Sequence, residues 1–444
     1  MNGMQIERTI AAVATPVGVG ALGLVRVSGP RAQQVVQACT GRCLEPRRAS
    51  LVRVRDARGE VLDECVATLF AAPASFTGED VVELCCHGGA LVVQLVLERL
   101  LACGASPAEP GEFSRRAFEN GRMDLTQAEA VMDIISAGSE LALRAAQHQL
   151  QGAISQPVQA AVDRLVEVAA HVEAYIDFPE EDISPHTQDQ LVEVLVEVQA
   201  GLTRLLRTAE AGRLLREGVR TVIVGAPNAG KSSLLNCLLG YDRAIVSPTA
   251  GTTRDTVEEG TTLGGLRLRL VDTAGLHESA DALEQSGMER TLRAWKGADL
   301  VLRVVDASRA PEELPEVETP VPSLLILNKC DLPEHAAWQG VAGIRFSCLT
   351  AQGLPELEQA LGGLFLTQPQ ELDSPAAINT RHRYALQQAL DFLVAAQAEL
   401  AAGEAVELVA ADLRSALEAL GGITGRVDTE VILDKVFSSF CLGK

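Results

Sequence analysis

The sequence is poor in lysine, in aromatic residues and in long apolar runs. Five of the 38 basic residues are lysine, and aromatic residues make up 3% of the chain. No apolar run approaches the roughly 18–20 residues of a membrane span, and the first residues lack the basic and then apolar pattern of a secretion signal. The ten irregularly spaced cysteines fit neither a disulfide framework nor a paired C-x-x-C metal site. We therefore expect a cytoplasmic protein with no membrane segment.

The sequence has enough hydrophobic residues to form cores, and it has a strong negative charge that is unevenly distributed along the chain. The chain has 444 residues, of which 47% are hydrophobic and 22% charged, and this length is typical of two to four domains. The net charge is −21, with −1 in residues 1–120 and −20 in the remainder. This balance argues against a simple sequence-independent nucleic-acid binder, because such proteins neutralise phosphates with basic side chains.

The hydrophobic pattern changes several times along the chain. Within residues 1–120 short alternating runs predict strands and two longer runs predict helices, which together indicate an α+β domain. The predicted strands cover 22–27, 51–55, 67–70 and 81–85, and the predicted helices cover 31–39 and 90–101. Residues 114–216 read as helical, 219–366 alternate strand, loop and helix, and helical character returns from 379 to the end.

The simplest arrangement places the alternating unit as an insertion into one helical domain. The helices on either side of it lack another partner and would bury their apolar stripes on each other. We predict domain boundaries at 1–118, 119–216 and 217–372, with 373–444 completing the helical domain. Three consecutive independent domains remain the alternative.

A phosphate-binding motif opens the alternating unit. An apolar strand, Val219 to Val224, runs into Gly225-Ala-Pro-Asn-Ala-Gly-Lys-Ser232, which a helix follows. This is the P-loop pattern in its required context, where backbone N–H groups converge on phosphate oxygens at a helix N-terminus. Lys231 is expected at the β- and γ-phosphates and Ser232 at magnesium.

Three further motifs complete a guanine nucleotide site. A strand delivers Asp272-Thr-Ala-Gly275 to magnesium and the γ-phosphate, and Thr253 in the preceding polar loop completes the magnesium shell. A third strand ends in Asn328-Lys-Cys-Asp331, whose carboxylate suits the guanine ring N–H and amine that adenine lacks. Ser347-Cys-Leu349 closes over the guanine carbonyl. The sequence therefore predicts a GTPase.

The usual water-orienting glutamine is missing, because Leu276 follows the Asp-Thr-Ala-Gly motif. Asn228 in the P-loop, together with carbonyls of the loop 244–252, forms a potential shell for a monovalent cation. We expect potassium to replace an arginine finger and a partner G domain to order that loop. The acidic residues Glu278, Asp281 and Glu284 are candidates to position water, although each by itself is better explained as surface charge.

Segments along the whole chain resemble the MnmE (TrmE) family of tRNA-modifying GTPases. Inside the P-loop unit these segments are the nucleotide motifs, which related GTPases share. Outside it the resemblance is more specific, and it rests on Ser75-Phe-Thr-Gly-Glu-Asp-Val-Val-Glu-Leu84, His87-Gly-Gly89, Pro110-Gly-Glu-Phe-Ser114, Arg116-Ala-Phe118, Asp124-Leu125 with Gln127-Ala-Glu-Ala130, and Phe437-Ser-Ser-Phe-Cys-Leu-Gly-Lys444.

The resemblance implies an N-terminal folate-binding and dimerisation domain, a helical domain, and an inserted Ras-like G domain. It implies a homodimer whose G domains meet around potassium. With the flavoprotein MnmG (GidA), in a heterotetramer, the family modifies the 5-carbon of wobble uridine in tRNA to an aminomethyl or carboxymethylaminomethyl group. The carbon comes from 5-formyl- or methylene-tetrahydrofolate.

The resemblance also assigns site residues. Potassium would bind Asn228, Ser247, Thr249 and Thr252, and magnesium would bind Ser232 and Thr253. Glu284 would orient the attacking water, Cys441 would be catalytic, and folate would contact Arg26, Glu83, Arg122 and Lys444. The nucleotide-binding set is Asn228, Ala229, Gly230, Lys231, Ser232, Ser233, Ser247, Thr249, Thr252, Thr253, Asp272, Thr273, Ala274, Gly275, Asn328, Lys329, Asp331, Ser347, Cys348 and Leu349.

Other interpretations remain open on the residues alone. Arg26 and Glu83 are also explained as a cross-strand charge pair without a ligand. A potassium-dependent ribosome-assembly GTPase would share the nucleotide motifs but would leave the N-terminal domain and the Cys-Leu-Gly-Lys end unexplained. A regulatory switch that gates a partner enzyme would carry the same motifs as an enzyme with its own chemistry.

Overall fold

The computed structural model divides the chain into two compact units. One comprises Met1–Met132 with Leu417–Lys444, and the other comprises Asp133–Ala416. The structure describes residues 8–177, 188–241, 258–271, 297–311, 321–365, 378–402 and 406–425, and near the end 433, 436–438, 440, 441 and 443. Statements below concern these residues.

The first unit is built on a mixed six-stranded sheet. Its strands are β1 (Ile10–Val13), β2 (Leu22–Ser28), β3 (Ser50–Arg55), β4 (Val61–Phe70), β5 (Val81–His87) and β6 (Ser106–Pro107). They lie in the order β3-β4-β5-β2-β1-β6, antiparallel except for the parallel pair of β1 and β6. The alternation of buried and exposed residues along β4 and β5 gives the sheet one face packed on helices.

Helices cover the two faces of this sheet to different extents. On one face α1 (Ala32–Thr40) and α2 (Ala90–Ala102) bury apolar side chains in one core with β2 to β5. On the other face α3 (Glu112–Glu119) places Phe113 against Ile10 and Ala12 of β1. The second face is therefore covered at the β1 side, where the candidate folate residues lie.

The C-terminal segment belongs to the first unit. Phe437 and Phe440 are 2% and 6% exposed and pack with Leu125 and Ala128 of α4 (Leu125–Ser136). The rings of Phe437 and Phe440 meet edge to face with their centroids 5.3 Å apart. Burial of two phenylalanines anchors this end of the chain, since each large side chain contributes roughly 1.5–3 kcal/mol on transfer from water.

The second unit begins with a run of helices. These are α5 (Glu140–Leu150), α6 (Ser155–Asp177), α7 (Gln188–Arg207) and α8 (Ala209–Glu217). Their sequences are rich in alanine, leucine and glutamate, which favour helix, with apolar residues at helical spacing. Ser139 caps α5, because its hydroxyl oxygen accepts a hydrogen bond from the backbone N–H of Ala142.

The second unit continues with a six-stranded sheet of the P-loop type. Its strands are β7 (Val219–Val224), β8 (Glu258–Leu263), β9 (Leu266–Val271), β10 (Leu300–Asp306), β11 (Ser323–Asn328) and β12 (Ile344–Phe346). The order is β12-β11-β10-β7-β9-β8, parallel except for the antiparallel edge strand β8. Helices α9 (Lys231–Tyr241) and α10 (Leu354–Phe365) belong to this part.

The chain then returns to helices α11 (Thr380–Ala402) and α12 (Val406–Thr424). Helix α7 packs against both α6 and α11, and the side chain of Gln199 on α7 donates to the carbonyl of Leu393 on α11 at 3.0 Å. Helices from before and after the P-loop part thus share one bundle. This agrees with the predicted fold class, a helical domain that carries an inserted P-loop domain, while the predicted boundary residues stay predictions.

Across the described ranges, no helix combines the length and the apolarity that crossing a bilayer requires.

Candidate functional site

The nucleotide motifs lie at the carboxyl ends of the parallel strands in the second unit. Strand β7 is central, between β9 and β10, and is followed by the loop 225–230 and then by α9. Val219 and Val222 are fully buried, so the strand is fixed in the core and delivers the loop to the sheet edge. Ligands of open parallel sheets bind outside this edge. The structure therefore presents the N-terminus of α9 where phosphate would bind.

The P-loop backbone takes conformations that the motif requires. Gly230 has φ +100°, and a β-carbon there would lie 2.1 Å from the side-chain nitrogen of Asn328. Asn228 has φ 63°, in the left-handed region that asparagine tolerates better than most residues. Its side chain is exposed. The turn thus needs glycine at 230 and projects Asn228 outward.

Lys231 lies across the loop that it follows. Its Nζ donates to the carbonyl oxygens of Gly225 and Ala226 at 3.0 and 2.8 Å. Burial lowers the pKa of this lysine from its ordinary value. Ser232 and Ser233 are exposed in the first turn of α9. The Ser232 hydroxyl is therefore accessible to a cation, and its oxygen is the type of ligand that magnesium prefers.

The base-recognition motif is tied directly to the P-loop. Asn328 is 2% exposed, and its Nδ2 donates to the carbonyl of Ala229 at 2.8 Å. Asp331 is exposed, and its Oδ1 accepts a 2.6 Å hydrogen bond from the hydroxyl of buried Ser347. The structure thus brings residues 229, 328, 331 and 347 together, and the Ser347 hydroxyl holds one oxygen of the exposed Asp331 carboxylate.

Lys329 has a partner that the sequence analysis missed. Its Nζ donates to Oδ2 of Asp306 at 2.6 Å, at the end of β10. Burial alone would raise the pKa of Asp306, but hydrogen bonds from Lys329 and Ser308 hold it below its usual value. The sequence did carry a signal, because Asp306 ends an apolar strand in the same way as Asn328 does.

In the predicted contact segment 347–349, Cys348 is partly buried and Leu349 is exposed. The thiol of Cys348 donates to Oδ1 of Asn328 at 3.3 Å, and burial raises the pKa of this thiol to about 11. Leu349 is 85% exposed. Cys348 therefore helps to hold the side chain of Asn328 in place, while Leu349 lies at the surface beside the site.

Several predicted residues lie outside the described part of the chain. They are Ser247, Thr249, Thr252, Thr253, Asp272, Thr273, Ala274, Gly275, Glu284 and Lys444.

A second cluster of predicted residues lies in the first unit. Arg26 of β2 and Glu83 of β5 are directly paired across the strands, and Nε and Nη2 of Arg26 donate to Oε1 of Glu83 at 3.0 and 2.7 Å. The cross-strand charge pair left open above therefore exists. The Arg26 guanidinium also lies 5.2 Å from the ring centroid of Phe76 and 5.8 Å from that of Phe113.

Arg122 and the described end of the chain lie beside residues of this cluster. Arg122 donates from Nε to the carbonyl of Ser75 at 3.2 Å, next to Phe76 in the chain. Near the C-terminus, the carbonyl of Gly443 accepts from Nη1 of Arg26 at 3.3 Å, and Cys441 is exposed two residues before it. The sequence analysis quoted the motifs that contain Phe76 and Phe113 but assigned these aromatic residues no role.

Two family profiles match the chain. The profile described as "GTP-binding protein TrmE N-terminus" matches residues 9–122, and that of the "MnmE helical domain" matches residues 125–441. The second range extends across the P-loop sheet, as it must if that sheet is inserted in the helical domain.

Proteins named "tRNA modification GTPase MnmE" are similar to this chain over its length. That of Akkermansia muciniphila is 56% identical over 445 residues, with 99% of each chain covered. That of Opitutus terrae is 46% identical over 454 residues, again with 99% of each covered. That of Chloroflexus aurantiacus is 46% identical over 455 residues, covering 98% of this chain and 99% of the other. The chain therefore belongs to the MnmE family of tRNA modification GTPases and is a GTP hydrolase that acts in tRNA modification.

Proposed function

We propose that this GTPase is potassium-dependent and works as a homodimer with the flavoprotein MnmG to modify the 5-carbon of wobble uridine, using a one-carbon unit from a tetrahydrofolate. The predicted domains and cytoplasmic location are part of this proposal. GTP is the substrate that the family hydrolyses, generally with Mg²⁺. The observation that carries the proposal is the cluster around Arg26 and Glu83 in the first unit.

The residues of this cluster fit a folate chemically. A pterin offers an amine and a ring N–H to a carboxylate, and a glutamate tail offers carboxylates to guanidinium groups. Both hydrogen bonds from Arg26 end on Oε1 of Glu83, and the carboxylate has a second oxygen with which to accept from a pterin. Phe76 and Phe113 add aromatic surface, on which a flat ring system stacks.

The exposed Asn228 supports the potassium dependence. Its side chain is exposed in the P-loop, so its neutral amide oxygen is accessible, and amide oxygens suit hard cations. Potassium bound there would supply positive charge beside the phosphates, the role that an arginine finger has in other GTPases. In the first turn of α9, which follows this loop, Ser232 is the described candidate for magnesium.

The open part of the N-terminal sheet supports dimerisation. One register row across it pairs Leu51 with Val66, Val66 with Cys85, and Cys85 with Leu24. Leu51 is 57% exposed and Val66 is 41% exposed. An apolar row on a solvent-facing sheet is typical of a surface that another chain covers.

The charge distribution supports a partner in tRNA binding. The net charge is −21, with −20 of it in residues after 120, so phosphate contacts from this chain alone would be opposed by its own field. A partner flavoprotein that supplies most of the tRNA contacts resolves this difficulty.

Calorimetric titration of 5-formyltetrahydrofolate into the full chain tests the folate assignment. We expect Glu83→Gln to weaken binding by about 10- to 100-fold, because a hydrogen bond to a charged group is lost from the site. Glu64→Gln is the matched control, since Glu64 pairs with Arg53 at 3.4 Å on the same sheet outside the cluster, and should bind as the wild type does. Equal affinity for wild type and Glu83→Gln would contradict the assignment.

A further inference from the structure

The hairpin of β8 and β9 has two ends with different surroundings. At its open end Glu258 pairs with Val271, which is the carboxyl end of the parallel strand β9 and therefore lies at the edge of the sheet where ligands bind. At its closed end the chain turns between Leu263 and Leu266, which are 2% and 1% exposed. The six-residue strands between these ends span roughly 20 Å. A displacement of the hairpin along its axis would therefore move the residues at both of its ends.

The closed end is bound to the helical segment that precedes the P-loop domain. The hydroxyl of Thr262 donates to the carbonyl of Gly138 at 3.0 Å, just before α5. Leu141 of α5 lies against Gly265, where a β-carbon would be 3.0 Å from its Cδ1. Leu141 and Ala145 also share a hydrophobic core with Leu263 and Leu266. The turn of the hairpin thus packs directly against the start of α5.

This contact leaves little free space. A β-carbon at residue 138 would lie 2.6 Å from Cδ of Arg267 and 3.0 Å from its Nη1, so the arginine stem rests on the glycine backbone. Close-packed interiors transmit displacement because they compress little. Movement of the hairpin along its axis would accordingly move residues 138–141 with it.

Within the sheet, the hairpin is joined to the other strands through β9 alone. Strand β8 is at the edge and pairs with β9 alone, and β9 pairs with β7 over four residues, Val219 to Val222. The helix α8, which leads into the P-loop domain, is held by a different contact. Arg216 at its end pairs with buried Asp133 at 2.7 Å. The hairpin can therefore shift relative to the end of α8.

We propose that the β8–β9 hairpin couples the nucleotide-binding edge of the sheet, at its open end, to the start of α5 at its turn. Gly138, Thr262 and Arg267 are positioning residues in this coupling and do not contact the nucleotide. The coupling links GTP hydrolysis to tRNA modification, and so rests on both activities of the family.

Two variants break the contact and leave the nucleotide motifs intact. Thr262→Val removes the hydroxyl donor and keeps the side-chain shape, and Gly138→Ala displaces Arg267. Thr261→Val is the matched control, since the Thr261 hydroxyl donates at 2.9 Å to the carbonyl of Leu238 inside the P-loop domain. Gly201→Ala is the glycine control, because a β-carbon there meets nothing within 4 Å.

The experiment compares GTP turnover by the purified full chain with the fraction of modified wobble uridine in tRNA from cells carrying each variant. For Thr262→Val and Gly138→Ala we expect turnover within about twofold of wild type and modification per GTP hydrolysed reduced about fivefold or more, the usual range of allosteric coupling. Thr262→Ser, which keeps the donor, should restore modification, and both controls should match the wild type.

Two results would overturn the coupling. One is unchanged modification in Thr262→Val and Gly138→Ala. The other is a parallel fall of turnover and modification, or an equal fall in Thr261→Val, since either would make the contact merely structural. Thermal unfolding of each variant establishes that it is folded. Absence of wobble modification even with the wild-type gene would instead mean that the proposed function fails.

Discussion

At the scale of single residues, the candidate nucleotide site depends on side chains that connect one motif to another. Asn328 holds the P-loop carbonyl of Ala229, and its own oxygen accepts from the thiol of Cys348. Lys329 is held by Asp306, and Asp331 by Ser347. These hydrogen bonds orient the guanine-recognition side chains, so less conformational freedom is lost when nucleotide binds.

Asn228 is the residue for which potassium dependence makes the sharpest prediction. We expect wild-type GTP turnover to be about tenfold or more faster in potassium than in sodium at equal ionic strength, a difference of about 1.4 kcal/mol or more in activation free energy. Asn228→Gly should abolish the difference, because glycine keeps the left-handed backbone and removes the amide oxygen.

Steady-state kinetics in the two salts provide the check. Asn228→Asp serves as the control, since it retains an oxygen ligand and should retain part of the potassium stimulation. The same turnover in potassium and sodium for the wild type would end the potassium proposal, while the GTPase activity itself would stand.

At the scale of elements, the largely buried carboxylate of Glu112 is one of the groups that hold α3 to the N-terminal unit. Glu112 accepts from Arg116 at 2.8 Å, from Arg8 at 3.2 Å and from the backbone N–H of Glu109 at 2.9 Å. Burial alone would raise its pKa, but these hydrogen bonds outweigh the effect and hold the pKa below its ordinary value. The ionised form of Glu112 therefore stabilises the folded unit.

This stabilisation has a definite pH dependence. Because the folded pKa of Glu112 is depressed, the contribution is complete above the unfolded value and is lost as pH falls through the folded value. We expect Glu112→Gln to lower the free energy of unfolding by about 1.5–3 kcal/mol near neutral pH and by less near pH 3. Scanning calorimetry of the full chain at both pH values measures the shift.

Glu119→Gln is the control on the same helix. Glu119 pairs with Arg115 and is 34% exposed, so its loss should cost about 1 kcal/mol or less. A Glu112→Gln effect that is equally large at both pH values would contradict the ionic explanation.

Prediction from sequence succeeded for elements whose signal is local. The expected strands 219–224 and 266–271 match β7 and β9, and the expected helix 90–101 matches α2 within one residue. Strand β4 was expected from Ala67 but begins at Val61, because Asp63 and Glu64 interrupt the apolar pattern. Strand β1 was not predicted, since four residues without alternation carry little signal.

The contacts that the sequence could not show are those between distant residues. Asn328 meets Ala229 across 99 positions and Arg26 meets Gly443 across 417. Sequence pattern indicates which residue types a site needs, whereas only the fold brings these pairs together. Asp306 carried a local signal at the end of an apolar strand, but its pairing with Lys329 depends on β10 and β11 lying side by side in the sheet.

At the scale of the whole molecule, the chain contains two candidate chemical sites in different compact units. The nucleotide motifs lie in the unit 133–416, and the Arg26 cluster lies in the unit that joins 1–132 with 417–444. The C-terminal segment completes the second cluster through Gly443. In the proposed function, GTP hydrolysis in one unit controls chemistry in the other, and separate variants can test each side.

Mass spectrometry of tRNA nucleosides from a strain lacking the gene decides between the enzyme and its alternatives. We expect the wild-type gene to restore the 5-substituent of wobble uridine. Lys231→Ala should not restore it, because the P-loop cation is lost. Glu83→Gln should also fail while its purified protein hydrolyses GTP at the wild-type rate. If Glu83→Gln restored the modification fully, the first unit would have no part in the chemistry, and a regulatory GTPase that gates its partner would explain the motifs better.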